Sequence, residues 1–483
     1  MTYDDRVFMQ AHAMVAAVRA RAVSCREIMQ AHLAQIERVN PAVNAIVTLD
    51  AEGALAAANA ADAALARGEE AGALCGLPVA VKDTTLTAGM RTTLGSPIFR
   101  DHVPTQDALL VERLRQAGAI VIGKTNVPEF AAGSQTFNEV FGVTRTPYDL
   151  TRTCGGSSGG AAVAVATGMS AIADGSDMGG SLRNPASFCN VVGLRPTPGR
   201  VPQWPGKNPW GNLAVAGPMG RSVADVALAL SVMAGPDDRC PTALETPGKR
   251  FAAPLGRDFH GQRMAFSPGF GGQMPVDPEV VAVIEAQRQV FVDLGFTLED
   301  TLPSFAGAQQ IFLDQRSIAF EASLGPLMDQ HRALMKEELV WNIEYGRTLT
   351  GAQVAASERA RTALFEQVRQ FMARTPFLAL PVSQVPPFPV EQRHVAAING
   401  QPMGNYLEWM QSCCVITVTG HPAISVPCGF TASGLPVGIQ LVGRYGDDWG
   451  LLQLAHAFEQ ATRTTWRHPA LALQPGTGKS FTS

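Results

Sequence analysis

Apolar positions recur at helical spacing through most of the first 70 residues, and one helix start is marked by chemistry as well as by period. Ser24-Cys25-Arg26-Glu27 forms a capping box that opens an amphipathic run to Val39. Pro41 is predicted to end that helix, because it has no N–H to donate and its ring crowds the preceding turn. An alanine-rich helix over 54–67 follows, closed by Gly68. The period then changes. Residues 77–82 are a short continuous apolar run of strand type, 108–117 read as a helix and 119–123 as a buried strand, which is the alternation of an open, wound sheet.

Beyond residue 198 the period is lost: 198–218 is rich in Pro, Gly and Trp and predicts a long ordered surface loop carrying Trp204 and Trp210. A helix resumes over 222–233, and several helical periods fill 278–374 as a cover over part of the sheet. Strand-like segments return at 377–381, 423–427 and 437–442, before a helix over 448–461. The pattern therefore predicts N-terminal helices (1–70), an α/β core (71–235), a largely helical cover (278–375) and C-terminal strands with a helix (376–470), folding together as one domain over 1–483.

Composition narrows the classes of function. Hydrophobic residues make up 46% of the 483 and charged residues 17%, the balance of a chain that folds throughout. Lys and Arg total 38 against 42 for Asp and Glu, without a basic run, so neither nucleic acid nor an anionic membrane is a favoured partner, and a small neutral substrate fits better. The start, Met1-Thr2-Tyr3-Asp4-Asp5-Arg6, lacks the apolar segment of a secretory signal, and no stretch approaches the roughly 20 apolar residues of a membrane helix; a cytoplasmic location is expected. The eight cysteines contain no CxxC pair and no histidine clusters with them, so zinc or redox chemistry has no support and free buried thiols are expected.

The candidate chemistry lies in two glycine-serine turns, Cys154-Gly155-Gly156-Ser157-Ser158-Gly159-Gly160 and Asp174-Gly175-Ser176-Asp177-Met178-Gly179-Gly180-Ser181-Leu182-Arg183, whose serines 157 and 181 stand 24 positions apart. Between them 160–167 can form a helix about 12 Å long and 170–174 a strand of similar length running back, so the turns are predicted to meet. The N–H groups of Met178, Gly179, Gly180 and Ser181 are positioned to form an oxyanion hole. A serine nucleophile needs a base, and no GxSxG elbow or nearby histidine offers one. Lys82 does: it ends an apolar strand, and burial favours the neutral amine. A relay hydroxyl gives the second serine turn its purpose. Singly, each piece has a plainer reading, a flexible turn or phosphate cradle for the serines and a surface lysine paired with Asp83.

Together they resemble the amidase signature family. The resemblance rests on Gly76-Leu77-Pro78-Val79-Ala80-Val81-Lys82-Asp83, Gly155-Gly156-Ser157-Ser158-Gly159-Gly160 and Gly179-Gly180-Ser181-Leu182-Arg183-Asn184-Pro185-Ala186. Gly123-Lys124-Thr125-Asn126-Val127-Pro128-Glu129-Phe130, Val192-Gly193-Leu194-Arg195-Pro196-Thr197 and Gly420-His421-Pro422-Ala423-Ile424-Ser425-Val426-Pro427 are also similar to family segments. It implies an α/β fold, a single α/β/α domain around a large mixed sheet, with Ser181 as nucleophile, Ser157 as relay behind a cis bond after Gly156, Lys82 as base, and amide and water as reactants with neither metal nor cofactor.

Other signals are weaker. Gly476-Thr477-Gly478-Lys479-Ser480 looks like the end of a P-loop, but Leu473 stands where its first glycine belongs. Cys154 and Cys189 are expected to pack, His421 to make a structural hydrogen bond, and Arg183 to anchor the nucleophile turn. Trp204 and Trp210, with Phe312, Phe320, Trp341 and Trp409, are nominated as pocket walls against the plainer reading of core or lid packing. Three functions compete: a stand-alone hydrolase of neutral aryl or alkyl amides, with esters and carbamates as further substrates; a glutaminase subunit of a tRNA-dependent amidotransferase; and a catalytically silent binding protein of the same fold. Amidotransferase subunits usually continue after the Arg195-Pro196-Thr197 segment through Tyr-Gly and Ser-Leu-Asp-Gln, where this chain reads Pro198-Gly199-Arg200-Val201-Pro202-Gln203-Trp204-Pro205. A homo-oligomer is compatible with any of the three.

Overall fold

The computed structural model describes residues 4–474. The P-loop-like tail at 476–480 and the opening Met1-Thr2-Tyr3 lie outside the described residues. Eleven strands form one mixed sheet: β1 (Ile46–Leu49), β2 (Pro78–Lys82), β3 (Ile120–Thr125), β4 (Ile172–Asp177), β5 (Val192–Arg195), β6 (Val215–Gly220), β7 (Arg263–Phe266), β8 (Thr297–Glu299), β9 (Phe377–Pro381), β10 (Ala423–Phe430) and β11 (Pro436–Val442). Their order across the sheet is β1-β3-β2-β4-β6-β5-β10-β11-β9-β7-β8. Strands β3, β2 and β4 run parallel, as do β9, β7 and β8, while the pairs between these two groups are antiparallel. Every residue of β2, β3, β6, β9 and β11 is buried, which requires helices on both faces of the sheet. The larger apolar cluster runs from Ala11 to Phe458, and a smaller one joins Ala132 to the helical segments that carry Phe320 and Leu339.

The capping box at Ser24 is formed in both directions, Ser24 Oγ accepting from the Glu27 N–H and Glu27 accepting from the Ser24 N–H. The helix it opens, Cys25–Val43, continues through Pro41. Only its last turn is affected, and Asn40 secures the chain just beyond the helix end, accepting from the N–H groups of Ala45 and Ile46 and donating to the Ile46 carbonyl. The N-terminal region is also not wholly helical, since β1 pairs with β3 at the edge of the sheet.

The larger correction concerns 198–218, whose end is no surface loop. Val215–Gly220 is a central strand between β4 and β5. Its Ala-Gly-Pro-Met-Gly run lacks a strand's usual side chains because neighbours leave no room: a Cβ at Gly217 would stand 2.4 Å from the Leu194 carbonyl oxygen. Strands β7 and β8, which the pattern also did not show, lie at the far edge.

Candidate active site

Strand β2 carries Lys82 into the interior at its C-terminal end, where the lysine is fully buried. Its Nζ lies within hydrogen-bond distance of three hydroxyls, Ser157 Oγ at 2.8 Å, Ser158 Oγ at 2.9 Å and Ser176 Oγ at 2.9 Å. Asp83 is turned away from it, accepting from the N–H and hydroxyl of Thr93. Burial pulls the Lys82 ammonium down to about 7, against the attraction of Asp174 and Asp177. Asp174 lies against the Lys82 backbone, accepting its N–H at 2.6 Å, and takes the Thr85 hydroxyl at 2.7 Å; burial pushes its carboxyl up.

The two serine turns meet. Helix Gly159–Ala166 and strand β4 bring the chain back on itself, and the Ser158 N–H donates to the Ser181 carbonyl at 3.2 Å. The Gly156–Ser157 peptide bond is cis, and Gly155 has a positive φ of 72°. Ser134 and Thr136 hydroxyls fix the Gly156 and Gly155 carbonyls, at 2.7 and 2.8 Å.

Asp177 holds the second turn. It accepts from the N–H groups of Gly180 (3.0 Å) and Leu182 (3.1 Å) and from both Nε and Nη2 of Arg183, and Arg195 lies 3.5 Å away. Burial alone would raise this carboxyl, but Arg183 and Arg195 outweigh it and hold the group well below the usual carboxylate range. Gly180 has φ 106°, and a Cβ there would meet Cys413 at 2.7 Å, so glycine is required. Its N–H is committed to Asp177, which removes Gly180 from the expected oxyanion-hole donors. Among the described residues none accepts the N–H of Met178, Gly179 or Ser181.

Ser157 and Ser181 open onto one cavity of about 1000 Å³. Of the nominated wall residues, Trp204, Trp210 and Phe320 line it. Trp204 lies beneath the Arg239 guanidinium, 4.5 Å from the ring centroid, and Trp210 at the mouth is 74% exposed. The other three do not line it: Phe312 packs behind Gly179, Trp341 meets Tyr406 edge-on, and Trp409 packs on Phe388. Arg183 is buried under the turn. His421 contacts the Thr419 carbonyl and hydroxyl, and burial lowers it to about 4. All eight cysteines are buried and unpaired. No group of metal-ligating side chains and no helix able to cross a membrane occurs among the described residues.

Three parts of the site escaped sequence reasoning. Ser176 and Ser158 complete the lysine's hydroxyl cage, and the alternation of Asp174 and Ser176 along β4 was the available signal. Arg316, in helix Ala308–His331, lines the cavity and had no local signal at all.

Three comparisons bear on this geometry. The Amidase family model matches residues 27–452. A glutamyl-tRNA(Gln) amidotransferase subunit from Synechococcus sp. (strain CC9605) is 37% identical over 492 residues, 98% of this chain and 100% of its own. An acylamidase from Rhodococcus erythropolis is 34% identical over 477 residues, 98% of this chain and 99% of its own. Among solved structures, a bacterial aryl acylamidase of the amidase signature family superposes with a TM-score of 0.89 at 28% identity, over 97% of this chain and 99% of its own.

Proposed function

The chain belongs to the Amidase family of hydrolases acting on amide carbon–nitrogen bonds, and from that premise we propose that it works alone in the cytoplasm as a serine amidase on small aryl or alkyl amides. The observation that carries the reading is Lys82: a buried amine drawn down to about 7, caged by serine hydroxyls and free of any ion-pair partner among the described residues, beside a cavity that holds both Ser157 and Ser181.

In the proposed cycle neutral Lys82 takes a proton from Ser157 Oγ, which takes one from Ser181 Oγ as Ser181 attacks the carbonyl carbon. The N–H groups of Met178, Gly179 and Ser181 receive the oxyanion. Ser157 then protonates the departing amine, the carbon–nitrogen bond breaks, and water releases the acyl group by the reverse relay. Esters and carbamates (urethanes) have the same acyl-transfer chemistry and belong to the proposed range.

A second reading, a glutaminase subunit of a tRNA-dependent amidotransferase, is favoured by the name of the Synechococcus relative. Against it stands the tryptophan-bearing stretch after Arg200, which replaces the sequence such subunits usually carry. The deciding experiment is hydrolysis of a nitroanilide, benzamide, a phenyl carbamate, a nitrophenyl ester and glutamine by the wild type beside Ser181→Ala. Anilide or carbamate turnover that disappears in the variant is expected; turnover of glutamine alone supports the amidotransferase reading. No turnover, with Ser181 unlabelled by a fluorophosphonate, leaves a silent scaffold.

A further inference from the structure

Arg316 is a buried cation without an anion. It is 3% exposed, on the cavity wall, and its partners are all neutral: Nε donates to Asn342 Oδ1 at 2.8 Å, Nη2 to the Tyr406 hydroxyl at 3.0 Å, and Nη1 meets Met178 Sδ at 3.3 Å. Tyr406 donates in turn to Asn342 Oδ1 at 2.6 Å, and the guanidinium lies 4.2 Å from the Phe320 ring centroid, so neutral groups fix the fork in place. No carboxylate lies within ion-pair distance among the described residues. Of the other buried guanidinia, Arg183 and Arg195 share Asp177 and Arg200 pairs with Asp448; Arg221 also has neutral acceptors, the carbonyls of Met9, Val165 and Ser170, but it does not line the cavity as Arg316 does. The one carboxylate among the described lining residues is Glu358, three positions from Arg361 on another helix. An uncompensated buried charge is costly, and the N–H groups that these neutral partners leave unused on a cavity-lining guanidinium suit a carboxylate.

The position says which end of a substrate it meets. The Arg316 helix backs the Met178–Gly179 part of the turn, where a Cβ at Gly179 would stand 3.0 Å from Phe312 of that helix. Lys82 meets Ser157 and, on the strand that leads into the turn, Ser176. In the proposed cycle the departing amine faces Ser157, its proton donor, and the remaining wall, which includes Arg316, is left for the acyl portion.

We propose that Arg316 selects substrates by binding a carboxylate on their acyl portion, which makes monoamides of short dicarboxylic acids the preferred class. The proposal rests on the acyl-Ser181 reading above. Hydrolysis breaks the carbon–nitrogen bond and adds water, giving the dicarboxylate and a free amine. Glutamine shares the acyl-side carboxylate but adds an ammonium for which the cavity offers Glu358 alone, so its deaminated analogue glutaramate is expected to be the better substrate.

The test compares glutaric acid monoanilide with its uncharged monoamide (glutaramide anilide) and with valeranilide, and with an anilide whose carboxylate sits on the aniline ring. Wild type is expected to favour the monoanilide, and Arg316→Gln to lower that preference roughly 10-fold to 100-fold, mainly through KM, with Arg316→Lys losing less. Equal rates for charged and neutral anilides, a preference unmoved in Arg316→Gln, or a preference for the ring carboxylate overturns the proposal while leaving the amidase reading intact. Calorimetric binding of glutarate to Ser181→Ala and to Ser181→Ala/Arg316→Gln is independent of turnover: weaker binding to the double variant is expected, and equal binding overturns the proposal. Absence of all anilide turnover alongside Arg316-dependent glutarate binding counts against the amidase reading alone. Thermal melts establish that each variant is folded, and Arg316→Lys decides the matter if Arg316→Gln is not.

Discussion

Lys82 suits the proposed role of base because of what its surroundings lack. A lysine in water stays protonated well above neutrality, whereas this one has hydroxyls for neighbours and its nearest charges, Asp174 and Asp177, at longer range. Its folded value, about 7, lies below its ordinary 10.5, so the free amine becomes the main form as pH rises through 7. The kcat/KM for an anilide is therefore expected to climb across pH 6 to 8 and then level off, and Lys82→Ala is expected to lose on the order of 100-fold to 10,000-fold while keeping its circular dichroism spectrum. A flat profile, or unaltered turnover in the variant, removes Lys82 from the base role. Asp177 is the complementary case: its burial is outweighed by two guanidinia, and the charge it keeps fixes the turn that presents Ser181.

At the scale of elements, the strands that matter most to the site differ in how visible they are. β2 and β9 are plain apolar runs and were legible as such, whereas β6 is written in Gly, Ala and Pro because it fills the narrow centre of the sheet. Gly217→Val tests that account: its side chain would enter the space of the Leu194 carbonyl oxygen, of Leu182 at 2.9 Å and of Pro196 at 2.9 Å. Overpacking there is expected to lower stability by about 1–3 kcal/mol or more in urea unfolding, and wild-type stability would mean the strand has room. The meeting of the two serine turns was legible because a short helix and a strand of similar length must return the chain to its start. Arg316 was not, because it stands 135 positions after Ser181 and its docking is a tertiary event with no trace in local period. Pro41 misled for a related reason: in the last turn it removes a single helical hydrogen bond, and the helix boundary is set by the end beyond it, the left-handed Asn44 and the Asn40 side chain that takes the Ala45 and Ile46 N–H groups.

For the molecule as a whole, a second buried group titrates close to neutrality, with the opposite consequence. Glu459, in helix Asp448–Thr462, accepts the Val223 N–H at 2.9 Å, with Asp225 and His456 nearby, and burial first, then Asp225, pushes its carboxyl up to about 8. Its folded value is thus above the ordinary 4.5, so the folded chain keeps a proton that the unfolded chain releases between these limits. The stability this contributes is full below 4.5 and is lost as pH rises through 8. In the proposed cycle Lys82 acts above about pH 7, so the expected rise in activity overlaps the decline in this part of the stability. Glu459→Gln keeps the acceptor for Val223 and removes the ionisation. Its melting temperature relative to wild type is expected to rise between pH 5.5 and pH 8.5, with the pH profile of turnover unmoved, because Glu459 does not line the cavity. A difference in melting temperature that stays constant across that range would mean that Glu459 is ionised, or solvated, in the folded protein throughout.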